Sequence, residues 1–191
     1  MRYVPASTAA ILRFLLAAIF ALLARPGLAA DSMVASNGPL IDRYGPVYDI
    51  PKPGFQTPTD ITYKAVFDVG PSPEDPSQVN PRIESLARFL NMHARAGVRA
   101  RDMKLALVLH GPAGKDVLSD SAYKSRFGVQ NPNRALIEDL AANNVRIILC
   151  GQTAAHGKYG SDELAPGVDL ALSAMTALVA LQSDGYGLIA F

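Results

Sequence analysis

The chain has 191 residues, 18 basic against 17 acidic side chains, and a single cysteine. A near-neutral surface without a basic run excludes the electrostatic footprint of nucleic-acid and anionic-lipid binders. One cysteine excludes both an intramolecular disulfide and a thiolate metal cluster.

Residues 1–30 have the layout of a secretory leader. Arg2 and Arg13 flank a polar start, Phe14 to Ala24 (FLLAAIFALLA) is an uninterrupted apolar run, and Gly27-Leu-Ala-Ala30 supplies small residues for cleavage. The run is shorter than the ~20 residues of a permanent membrane span. Cleavage after Ala29 or Ala30 is expected, giving a periplasmic or secreted protein with no membrane attachment. Arg2, Arg13 and Arg25 leave with that leader, so 15 basic residues remain against 17 acidic ones, a net charge of −2.

Residues 31–60 read as an extended arm. From Asn37 to Thr59 there are five prolines and three glycines, which exclude a helix or a central strand. Leu40, Ile41, Val47 and Ile50, with Tyr44, Tyr48 and Phe55, give the segment apolar surface to bury, either on its own domain or on a neighbouring subunit.

Residues 61–191 form one α/β domain. Strands are expected at Tyr63–Val69, Met103–His110, Val145–Cys150 and Tyr186–Phe191; the second and third are nearly continuous in Leu, Val and Ile, as in strands covered on both faces. Three helices separate them. Asn80-Pro81 and Asn131-Pro132 each set a capping residue before a proline at the first helical position. Ile83, Leu86, Ala87, Leu90 and Ala94 make one apolar stripe, and Val168, Ala171, Leu172, Met175, Leu178 and Val179 another. Gly97, Asn143-Asn144 and Gly185 supply left-handed stops. The alternation predicts a three-layer α/β/α domain on a mainly parallel sheet of four to five strands.

In such sheets, ligands and reactive groups collect beyond the carboxyl ends of the strands. Asp68, His110 and Cys150 occupy those ends here, and Gly111 and Gly151 let the backbone turn close to whatever binds. Each also has a plainer reading: Asp68 as a turn former, His110 as a hydrogen-bonded structural residue, Cys150 as a packed small hydrophobe.

Other templates fail. Gly111-Pro-Ala-Gly-Lys-Asp116 has its glycines too close for a phosphate loop, and Asp116 stands where Ser or Thr would hold magnesium. No G-x-G-x-x-G opens a helix, and no G-x-S-x-G marks a hydrolase elbow. His93, His110 and His156 lack the close pair of a zinc site. A papain-like arrangement needs its cysteine ahead of the histidine, whereas His110 precedes Cys150. Neither a cofactor nor a metal is expected.

From Tyr63 to Phe191 the chain resembles the DsrE/DsrF-like family of sulfur-relay proteins, particularly exported members. The resemblance rests on Phe67-Asp-Val69, Leu90-Asn-Met-His-Ala-Arg-Ala-Gly97, Leu109-His-Gly-Pro-Ala113, Asn131-Pro-Asn133, Leu149-Cys-Gly-Gln152 and the stretch from Pro166-Gly-Val168 through Ala174-Met-Thr-Ala-Leu178 to Tyr186, in that order. It implies that Cys150 is the sulfur-accepting position, that the activity is of sulfurtransferase type, and that subunits assemble as trimers or hexamers. Relatives often follow the cysteine with alanines and Arg-Gly, where this chain has Ala154-Ala-His-Gly157.

Two functions fit this reading. One is a persulfide carrier, with Cys150 taking sulfane sulfur from a donor protein or small thiol and yielding it to an acceptor. The thiolate is the working form, so His110 oriented by Asp68, or backbone N–H groups of Gly151 to Thr153, must favour it. The other is an oligomeric protein that binds a small ligand or partner in the same cleft without covalent chemistry.

Overall fold

The computed structural model describes residues 34–190. The expected leader lies outside them.

Five strands form one sheet: β1 (Tyr63–Val69), β2 (Met103–Leu109), β3 (Arg146–Cys150), β4 (Val168–Ala171) and β5 (Gly187–Ala190). Their order is β4-β3-β2-β1-β5, and every pairing is parallel. Parallel neighbours need crossovers, so the helices between strands cover the two faces. Central β2 is buried from Leu105 to Leu109. The odd-numbered residues of β1 to β3 join α1 (Pro81–Arg95) and α3 (Arg134–Ala142) in the larger core; Val66, Ala106, Val108, Ile148 and Cys150 join α5 (Ala174–Ser183) in the smaller one. The expected α/β/α layering is therefore present, with a single helix among the described residues on the second face.

Helix α1 starts as its sequence dictates: the Asn80 side chain accepts from the Arg82 N–H, Pro81 follows, and Gly97 turns the chain at φ +93°. Helix α3 does not. Its cap is Asn133 rather than Asn131. Asn131 is buried, and its Nδ2 donates to the carbonyls of Asp116 and Leu118 at 3.0 and 2.7 Å, while Asn133 Oδ1 accepts the Asn80 N–H at 2.7 Å. These buried asparagines satisfy loop backbone that no strand or helix pairs.

Two further elements depart from the expected pattern. Helix α2 (Asp120–Phe127) is capped by Ser119 and stopped by Gly128 at φ +81°, and it buries only Ala122 and Tyr123, too little for an apolar stripe. The apolar set expected as one helix from Val168 divides in two. Val168–Ala171 is strand β4, paired with Ile147–Cys150, and α5 begins only after Ser173, whose Oγ accepts the Thr176 N–H at 3.1 Å.

The proline-rich segment lies on α1. Ser36 and Val47 form an antiparallel bridge, and Ile41 and Val47 are buried. Asn91, fully buried, holds the loop between them: Oδ1 accepts from the N–H groups of Leu40 and Ile41, and Nδ2 donates to the carbonyls of Ile41, Tyr44 and Gly45. Arg95 donates to the carbonyls of Ser36, Asn37 and Gly38. A Cβ on Gly45 would stand 2.5 Å from the α1 backbone at Ala87 and Arg88, and φ there is +71°, so only glycine fits. Tyr48, Ile50 and Phe55 remain exposed.

Candidate functional site at the carboxyl edge of the sheet

Asp68, His110 and Cys150 reach the same edge and the same face. β1, β2 and β3 are consecutive in the sheet, and Asp68, Val108 and Ile148 stand in register. His110 follows Val108 by two residues and Cys150 follows Ile148 by two, so all three project toward the α5 side.

His110 Nε2 and Asp68 Oδ1 are 3.0 Å apart. The imidazole lies against Gly70, where a Cβ would stand 2.7 Å from Cε1; a side chain at 70 would displace the ring. The pair is partly open to solvent, with side-chain exposures of 39% for His110 and 26% for Asp68. Among the described residues, no hydrogen bond joins His110 to Cys150; Nε2 of the imidazole faces the carboxylate.

Cys150 is 6% exposed and unpaired. It is both the last residue of β3 and the N-cap of α4 (Gly151–Gly157). This abrupt strand-to-helix passage needs glycine next: a Cβ on Gly151 would lie 2.4 Å from the Ala171 carbonyl oxygen of β4. The chain therefore passes from strand to helix at the thiol-bearing residue itself. Burial pushes the thiol pKa up; the N–H and hydroxyl of Thr153, with the N–H groups of Ala174 and Gln152, outweigh burial, and the pKa falls below its ordinary value. Thr153 is the third residue of α4 and Ala174 the first of α5.

The hydroxyl of Thr153 was not among the residues that sequence reading singled out. Its Oγ1 accepts the Gly111 N–H at 2.9 Å, which bridges α4 to the 3-10 helix Gly111–Val117 that follows His110. A shallow groove of about 500 Å³ opens beside this bridge, lined by Pro112, Gln152, Thr153, His156 and Tyr159. Lys115 of the same 3-10 helix is committed elsewhere. Its ammonium donates to Asp116 Oδ1 at 2.8 Å and to Ser72 Oγ at 2.6 Å, in a network with Asn80 that ties the loops together. Among the described residues, no group of three or more His, Cys, Asp or Glu side chains could hold a metal ion, and no helix is long and apolar enough to cross a membrane.

The sequence profile of the DsrE/DsrF-like family matches residues 64–191. Among solved structures, a protein of unknown function from Methanobacterium thermoautotrophicum, MTH1491, superimposes with a TM-score of 0.51 at 19% identity, over 68% of this chain and 99% of that one. The ychN protein of E. coli does so with a TM-score of 0.50 at 17% identity, again over 68% and 99%. At such identities the likeness is one of fold. None of the curated proteins searched matches the chain.

Proposed function

The chain belongs to the DsrE/DsrF-like family, and from that premise we propose that it is an exported sulfur carrier working through Cys150. Family membership suggests a sulfur-relay role. The observation that carries the finer reading is the placement of the single thiol at the strand-to-helix turn on the carboxyl edge, beside the Asp68–His110 pair. Its lowered pKa, set by neighbouring N–H and O–H groups against burial, favours the thiolate that sulfur transfer requires. The step conserves atoms and electrons. Cys150 thiolate attacks the outer sulfur of a donor persulfide; the donor S–S bond breaks as the Cys150 S–S bond forms, and the donor leaves as a thiolate that takes up a proton. Delivery to an acceptor thiol reverses the sequence. The solvent-reached His110, held by Asp68, stands at the same edge to exchange that proton.

Self-association belongs to the same proposal. Helix α5 is apolar nearly all round, yet Leu172, Met175 and Val179 on and beside it are 74%, 75% and 64% exposed. A helix of that composition is ordinarily covered. A second copy of this chain is the proposed cover, within a trimer or hexamer; light scattering would detect it, and a concentration-independent monomer would remove this part.

Burial of Cys150 favours the competing reading, a non-covalent binder in which the thiol is packing. Trapping the native protein with a mass-tagged alkylating agent separates the two. A carrier is tagged at Cys150 without denaturant, whereas a thiol tagged only after unfolding contradicts the proposal.

A further inference from the structure

We propose that copies of this chain associate head to tail, the exposed ridge on one flank of α5 filling a groove on the opposite flank of α5 in the next copy. The inference rests on the self-association stated above and names its surfaces and its symmetry.

Helix α5 has ten residues and is the one helix among the described residues on the second face of a five-stranded sheet. It leaves that face partly uncovered. At 3.6 residues per turn, Met175 and Val179, four apart, share one flank, while Ala177 and Ala180, three apart, share the other. The first flank is the ridge, with Met175 75% and Val179 64% exposed. Along the second flank a groove of about 470 Å³ opens between α5 and strands β3 and β4. Ile148 and Ala171 line it from the sheet, and Ala177 and Ala180 line it from the helix. Alanines keep the helix wall thin, which leaves room for larger side chains from outside.

The choice of a second copy as occupant follows from what the two flanks need. A two-fold contact sets like against like. Ridge on ridge would leave each groove open, and groove on groove would leave each ridge in water. A ridge in a groove removes both apolar features of every copy from solvent. Charge permits it. Arg146, Asp169 and Asp184 also line the groove, and Asp184 is paired with Lys64. The incoming helix has no charged residue from Ala174 to Ser183, so no ion is carried into the contact. Each copy offers one ridge and one groove, so the contact repeats from copy to copy until the rotation closes a ring.

Size-exclusion chromatography with light scattering on the purified chain tests this. Met175→Asp breaks the ridge, and Ala180→Phe fills the groove; both positions are exposed, so neither change enters the chain's own core. Each variant alone should run as a monomer where the parent is a multimer. Mixed in equal amounts, the two should form a dimer and nothing larger, because the intact ridge of the Ala180→Phe chain meets the intact groove of the Met175→Asp chain once. If circular dichroism shows either chain misfolded, Val179→Asp and Ala180→Leu make the same comparison. With a multimeric parent, an Ala180→Phe chain that assembles as the parent does, or a mixture that stays monomeric, overturns the head-to-tail contact and leaves self-association standing. A monomeric parent removes both. No sulfur donor enters the assay, so the carrier reading stands or falls separately.

Discussion

Asp68 and His110 are hydrogen-bonded to each other at 3.0 Å, across adjacent strands, and the thiol on the third strand takes its donors from elsewhere. The edge therefore holds two devices side by side: a carboxylate–imidazole pair partly open to solvent, and a buried thiol whose pKa is lowered by neighbouring N–H and O–H groups.

This separation predicts an asymmetric response to mutation. His110→Gln should leave alkylation of Cys150 at pH 7 within about twofold of the parent, because the imidazole is not a donor to sulfur. It should slow sulfur transfer to an acceptor thiol, where a proton must move. A tenfold loss of alkylation in His110→Gln would make the imidazole the activating base.

The depressed pKa of Cys150 makes stability depend on pH with a defined sign. An unfolded cysteine ionises near its ordinary value of about 8.5, and the folded one lower. The extra stability is present in full above the unfolded value and is lost as pH falls through the folded one. Urea denaturation of the parent and of Cys150→Ser across that range should therefore show the parent gaining on the variant as pH rises, then levelling. A difference that is flat, or that shrinks with rising pH, contradicts the donor arrangement around sulfur.

Asn91 should be worth more than its size. It serves five backbone groups of the 36–47 loop from a fully buried position on α1. Asn91→Ala leaves those groups unpaired and should cost about 1–3 kcal/mol or more, the range for stranding one buried polar group. Equilibrium unfolding measures it, and a loss below about 1 kcal/mol would mean that water replaces the side chain without penalty.

Much of this architecture is written locally. The bounds of β1 match its apolar run from Tyr63 to Val69, and the start of α1 follows from Asn80-Pro81, because in both places short-range chemistry and tertiary packing agree. The gathering of Asp68, His110 and Cys150 at one edge follows from parallel strands ending in those residues. β4 was hidden because Val168, Leu172, Met175 and Val179 repeat at helical spacing while the backbone is a strand as far as Ala171; what decides is pairing with β3, a contact distant in sequence. Asn131 does accept the Asn133 N–H through Oδ1 at 2.9 Å, as a capping residue would, but its Nδ2 also props the backbone at Asp116 and Leu118, which no local pattern reveals. The Thr153 N–H was expected beside the thiol, but the tie of its hydroxyl to Gly111 was hidden for the same reason: that partner lies 42 residues away.

The central claim is that Cys150 carries sulfane sulfur, and intact-mass spectrometry of the purified protein after exposure to polysulfide tests it most directly. The account predicts a gain of one sulfur atom per chain, reversed by a thiol reductant and absent in Cys150→Ser. A parent that gains no sulfur, or a Cys150→Ser variant that gains as much as the parent, would contradict it.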